Sequence, residues 1–174
     1  MKKKILMIIA HEGFQQLEYT LPKKTFEHAG FTVVTASNKA GIATAKDTSK
    51  APVDITVEQA IAQDYGAVVL VGGPGTLDNL DNPTTYQLLT QARDLGILLA
   101  AICISTRILA YASLLTDVAA TGWDGDNELT EIYNEYGVTY LQAPVVTDQN
   151  IITATDPSAA QEFADTIIQN LKNR

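Results

Sequence analysis

The sequence predicts an α/β fold, a mostly parallel sheet with helices on both faces. Three observations predict it. Strand-like apolar runs alternate with helix-like segments from one end of the chain to the other. The runs at 4–10 and 67–71 are apolar almost without interruption, as expected of strands covered on both faces. Glycine or a cap-plus-proline pair punctuates the junctions, as at Gly30, Gly96 and Gly137 and at Pro83 and Pro157.

Residues 4–10 form the first strand. A helix follows through Leu17, Leu21, Phe26 and Ala29 and stops at Gly30; Pro22 kinks it or marks the start of its regular part. The β-branched stretch 31–36 is a second strand. The polar segment 37–51 reads as loop and short hairpin, 53–57 as a short strand and 57–63 as a short helix. Strand 67–71 runs straight into Gly72-Gly73-Pro74-Gly75. Asn82-Pro83, an N-cap with proline at the first helical position, opens a helix to about 95 that closes at Gly96. Residues 97–102 are the next strand. It ends at Cys103, and a helix begins directly after it and runs to about 115. Then come a strand at 118–122, a helix at 126–136 closed by Gly137, and paired strands 145–148 and 151–154 joined through Gln149-Asn150. Asp156-Pro157 opens a last helix to about 171.

A chain of 174 residues predicts one domain spanning 1–174. Apolar content of 46% with 18% charged residues is the balance of a globular protein. No apolar run approaches the roughly 18 residues that span a bilayer. Lys2, Lys3 and Lys4 before a short apolar run superficially resemble a signal peptide, but His11-Glu12 stands where a small-residue cleavage site belongs. The segment reads as a strand with a charged lead-in. One cysteine permits no internal disulfide and predicts a reducing cytoplasm. The net charge of −8 opposes nucleic acid and anionic membrane as partners. Asp124, Asp126, Glu128 and Glu131 match no metal-loop spacing and read as a solvated helix start, so no metal is expected.

In parallel α/β sheets the site lies at the carboxyl ends of the strands. Three features fall there: 11–18 after the first strand, Gly72–Gly75 after the central one, and Cys103. A nucleophile on a sharp strand-to-helix turn needs small residues two positions to either side, and Ala101 and Ser105 meet that need. The following helix N-terminus favours thiolate, the reactive form. Taken alone, Cys103 reads equally well as a packed thiol. The glycine turn lacks both the P-loop ending and the third glycine of a dinucleotide fingerprint. It reads as a tight turn whose Gly73 N–H, with that of Ile104, forms an oxyanion hole, or as a plain turn. Glu18 lies on a helix face that Leu17 and Leu21 suggest turns inward. Buried beside the thiol, it would form a coupled pair sharing one proton. His11, Gly72, Trp123 and Asp124 are further pocket candidates. Arg107, one turn after Cys103, reads as a surface or interface ion pair.

These residues carry a resemblance. Leu17-Glu18 with Pro22, the run from Val68 to Gly75, Ala100-Ala101-Ile102-Cys103, Ile151-Ile152-Thr153 and the closing helix at 160–171 resemble the DJ-1/PfpI superfamily end to end. The resemblance implies a flavodoxin-like three-layer sandwich, a nucleophilic cysteine at the elbow, a glutamate hydrogen-bonded to it, no cofactor, and a homodimer. Members are described as glyoxalases, deglycases, intracellular peptidases, isonitrile hydratases, holdase chaperones and oxidative-stress sensors. The protease-like branch places histidine immediately after the cysteine, where this chain has Ile104; 121–124, another source of histidine, contains none. The expectation is therefore Cys103–Glu18 chemistry on a small carbonyl substrate. The alternatives are a stress sensor or chaperone working through Cys103 oxidation, and then a peptidase-like hydrolase.

Overall fold

The computed structural model describes residues 4–173; Lys2 and Lys3 of the charged lead-in lie outside them. In chain order the strands are β1 (Lys4–Ile9), β2 (Glu12–Phe14), β3 (Thr32–Ser37), β4 (Gly41–Ala45), β5 (Lys50–Val53), β6 (Ile55–Thr56), β7 (Ala67–Leu70), β8 (Leu98–Ile102), β9 (Ala119–Ala120), β10 (Thr139–Tyr140), β11 (Val145–Asp148) and β12 (Ile151–Ala154). The helices are α1 (Gln16–His28), α2 (Thr76–Leu80), α3 (Pro83–Asp94), α4 (Thr106–Tyr111), α5 (Leu129–Glu135) and α6 (Ala160–Lys172).

Seven strands pair in the order β11-β12-β8-β7-β1-β3-β6, all parallel except β11 against β12. The continuous apolar runs explain the centre: every residue of β7 and β8, and all of β1 after Lys4, is buried. Helices α1 and α6 pack together over β1, β3, β8 and β12, while α3 and α4 pack against β8. This is the expected flavodoxin-like sandwich. From β1 the chain moves outward to β3 and β6, then returns to β7 on the other side. The sheet therefore has its switch point between β1 and β7, and a cleft opens beyond the carboxyl ends there.

Both cap-plus-proline signals act as read. Thr85 N–H donates to Asn82 Oδ1 at 3.1 Å, and Ser158 N–H donates to Asp156 Oδ1 at 2.8 Å. The polar segment 37–51 holds the hairpin β4–β5, and β2 adds to it in parallel as a separate three-stranded sheet. Strands β2 and β10 and helix α2 were not foreseen; all are five residues or shorter, too short for a period to declare itself. The helix expected from Cys103 to 115 is a 3-10 turn (Cys103–Ser105) followed by α4, which ends at Tyr111 before the left-handed Ser113.

Candidate active site

The register of β7 with β8 pairs Leu70 with Ala101, so two residues on, Gly72 and Cys103 leave the sheet side by side. Cys103 has φ +65°, the left-handed region that side chains other than glycine rarely enter. The surrounding backbone holds it there. Ile102 N–H donates to Ser105 Oγ at 3.2 Å, and that hydroxyl lies 2.7 Å from the Ile102 carbonyl and 3.0 Å from the Leu70 carbonyl. Thr106 O–H donates to the Cys103 carbonyl at 3.0 Å. Ala101 and Ser105 are fully buried, as a sharp elbow requires. The sulfur is left half-buried, with the Ile104 N–H as a donor to it.

Glu18 is fully buried, for a different reason from the one the sequence suggested. Leu17 is exposed; the inward stripe is Glu18, Pro22 and Phe26, spaced by four along α1, with Tyr19 beside it. Gly72 N–H donates to Glu18 Oε2 at 2.9 Å. The other oxygen, Oε1, is buried without a nitrogen or oxygen partner, and the carboxyl's remaining neighbour is the Cys103 thiol. Burial raises the carboxyl pKa from 4.5 to about 8 against the lowering by its bonds to Cys103 and Gly72. Burial, then the Glu18 charge, also push the thiol upward, while Ile104 N–H pulls it down. Both shifts run the same way, so Glu18 keeps its proton at neutral pH beside a thiol that ionises reluctantly.

Gly72 has no room for a side chain. A Cβ there would lie 2.6 Å from Glu18 Oε2 and 2.7 Å from Cys103 Cβ. The next glycines admit a second backbone. Gly73 has φ +130°, and a Cβ on Gly75 would sit 1.9 Å from the Glu12 carbonyl. Segment 12–15 thus lies against the turn, with Gln15 N–H donating to Gly72 O at 2.8 Å and Gly75 N–H to Gly13 O at 3.1 Å.

A cavity of about 230 Å³ opens above the sulfur. Cys103, Ile104 and Gly73 line one side of it, and Trp123, Gln15, Lys46 and Asp156 contribute to the rest. Among the described residues no three His, Cys, Asp or Glu side chains are grouped to hold a metal ion.

The DJ-1/PfpI family model matches residues 3–170. The chain belongs to the DJ-1/PfpI family. An uncharacterized protein of Methanocaldococcus jannaschii is 31% identical over 97% of this chain and 82% of its own length. YraA of Bacillus subtilis, named as a candidate cysteine protease, is 30% identical over 94% of this chain and 95% of its own. The crystal structure of the ThiJ/PfpI domain protein from Brachyspira murdochii is 27% identical, with a TM-score of 0.93 over 99% of this chain and 98% of that one.

On this DJ-1/PfpI frame the structure brings Cys103, Glu18, Gly72, Gly73, Ile104 and Trp123 together. Glu18 and Gly72 lie behind the cavity lining, against Cys103, and two further candidates stand apart from it. The His11 Nδ1 lies 3.4 Å from Glu12 Oε1, and Asp124 Oδ1 accepts the Leu129 N–H at 2.9 Å as a cap of α5. The second histidine, His28, is exposed at the end of α1. Gln15, Lys46 and Asp156 were missed as lining residues. Lys46 follows β4, whose pairing with β2 sets it against Phe14, a long-range consequence that no local pattern announces. Arg107 is not on the surface: it is buried and paired with Asp126 and Glu128.

Proposed function

We propose that this DJ-1/PfpI protein is a cysteine-dependent enzyme of small reactive carbonyls, of glyoxalase or deglycase type, working through Cys103 and Glu18. The observation that carries the reading is the fully buried Glu18, bonded to Gly72 N–H and hydrogen-bonded with the thiol at the base of a small cavity. Loss of the thiol proton to solvent leaves the nucleophilic thiolate beside a protonated Glu18, and Ile104 N–H supports its charge.

For a 2-oxoaldehyde the steps balance as follows. Sγ adds to the aldehyde carbon and its oxygen takes the Glu18 proton, giving a hemithioacetal. Glu18, now a carboxylate, removes the hydrogen of that carbon as a proton, forming an enediolate whose hydroxyl proton passes to the neighbouring oxygen. The proton returns to the neighbouring carbon, leaving a 2-hydroxyacyl thioester. Water cleaves the C–S bond, releases the 2-hydroxy acid and restores the thiol. One carbon is oxidised as its neighbour is reduced, so no outside oxidant or reductant enters. The N–H groups of Gly73 and Ile104 are the donors assigned to the oxyanion. A peptidase reading is opposed by Ile104 and by the exposed position of His28 and the remote one of His11. A homodimer in a reducing cytoplasm accords with the family resemblance and the single thiol.

Incubation with methylglyoxal and assay of lactate tests the proposal. Wild type is expected to form lactate, and Cys103→Ala and Glu18→Gln are not; equal rates in wild type and Cys103→Ala overturn it. The unpartnered Glu18 Oε1 also favours a second reading, in which a protonated Glu18 donates to a Cys103 sulfinate. Mass spectrometry after mild peroxide tests that one: a Cys103 that oxidises no faster than free cysteine rejects it.

A further inference from the structure

Among the described residues Arg107 is the only buried cation. Its place is unfavourable on two counts. It stands in the first turn of α4, at the positive end of the helix, and it is 2% exposed. Its Nε has no partner. The other two nitrogens reach Asp126 at 2.6 Å and Glu128 at 3.3 Å, and the guanidinium carbon lies 5.7 Å from the Trp123 ring centroid.

Stability does not explain this arrangement. The side chains of Asp126 and Glu128 are 32% and 66% exposed, so the ion pairs are screened and contribute little. An apolar residue of the same volume would fill the site without desolvating a charge. The thiol's own shift follows burial, Glu18, Ile104 N–H and Asp156. What Arg107 touches is the indole of Trp123, a residue that lines the cavity and whose backbone N–H donates to the Cys103 carbonyl at 3.4 Å. On another side the ring lies against Gly125, where a Cβ would come within 2.4 Å of it. The indole is thus held between a guanidinium and the backbone of its own loop.

We propose that Arg107 is a positioning residue for the pocket: clamped to Asp126 and Glu128, it fixes the Trp123 indole as a wall beside Cys103 and so sets the size of molecule that reaches the sulfur. This deepens the carbonyl reading, because it makes small size the property selected. The wall itself does not depend on which chemistry follows.

The test uses alkylation of Cys103, the only cysteine, and emission of Trp123, the only tryptophan. Second-order rates are measured with iodoacetamide and with a bulky fluorescein maleimide, in wild type and in the Arg107→Met, Arg107→Lys and Asp126→Ala variants. Loosening the wall is expected to raise the bulky-to-small rate ratio about tenfold in Arg107→Met, on the scale of a small misplacement. Trp123 emission should shift to the red, and the pH profile with iodoacetamide should stay where it was. Asp126→Ala should move the ratio the same way by less, and Arg107→Lys should recover part of it. An unchanged ratio in folded Arg107→Met and in Asp126→Ala overturns the proposal, as does a shifted pH profile at constant ratio. Asp126 is partly exposed, so its variant decides the matter should Arg107→Met not fold. Absence of methylglyoxal turnover removes the carbonyl reading and leaves the size ratio to stand or fall separately.

Discussion

Around Cys103 the floor of the pocket is packed without slack, whereas its outer wall hangs on groups that reach solvent. On the floor, Gly72 leaves less than 3 Å between a built Cβ and either Glu18 or Cys103, and Glu18 has no exposed surface. In the wall, Trp123 is half-buried and tied through Arg107 to Asp126 and Glu128, while Lys46 is exposed beyond β4. The floor keeps a proton on Glu18 beside the thiol. The wall decides what arrives. Changes to the floor should therefore act on chemistry and stability together, and changes to the wall on access.

Ordered by expected effect, four substitutions can break that division. Cys103→Ala removes the thiol and should lower carbonyl turnover by roughly a thousandfold or more, measured as lactate formed, with the fold retained by circular dichroism. Gly72→Ala should reduce turnover nearly as far and also destabilise by about 3 kcal/mol, because backbone, carboxyl and elbow must all move. A fully active, equally stable Gly72→Ala protein would show that the floor has slack after all.

Glu18→Gln should lower kcat on the order of a hundredfold and change the pH dependence of stability. The sign follows from the raised pKa. The folded protein holds the Glu18 proton more tightly than the unfolded chain, so this contribution is full below pH 4.5 and is lost as pH rises through about 8. Denaturant titrations should show wild-type stability falling across that window and a flatter Glu18→Gln curve. Parallel curves would place the proton elsewhere. At the small end, Lys46→Ala should alter turnover of an uncharged dicarbonyl by less than about fivefold, as expected of an exposed charge, and chiefly through KM. A kcat loss there would move Lys46 from the wall to the chemistry.

The same division governs how far the sequence could be read. The sheet was legible because buried parallel strands are written as unbroken apolar runs, and Cys103 because it stands between such a run and a helix. Glu18 was found, but its inward direction was inferred from Leu17, which faces out, and from Leu21, which packs only partly buried against the core. A helix with so few strong apolar residues states its face weakly, and Pro22 carries much of it. Of the wall, Trp123 was legible as a pocket candidate, but its companions were not. Lys46 arrives through a short parallel pairing of β2 with β4, and Arg107 looks like any surface arginine until Asp126 and Glu128 fold back over it. Both depend on contacts far apart in the chain, which no periodicity records.

The central claim is that Glu18 stays protonated beside Cys103 at the floor of the pocket. A titration of the Glu18 carboxyl carbon by nuclear magnetic resonance, assigned by comparison with Glu18→Gln, tests it most directly. The account predicts an inflection near pH 8, far above the ordinary 4.5. A Glu18 that titrates near 4.5 would contradict it, since the carboxyl would then be ionised at neutral pH and have no proton to give to the substrate oxygen.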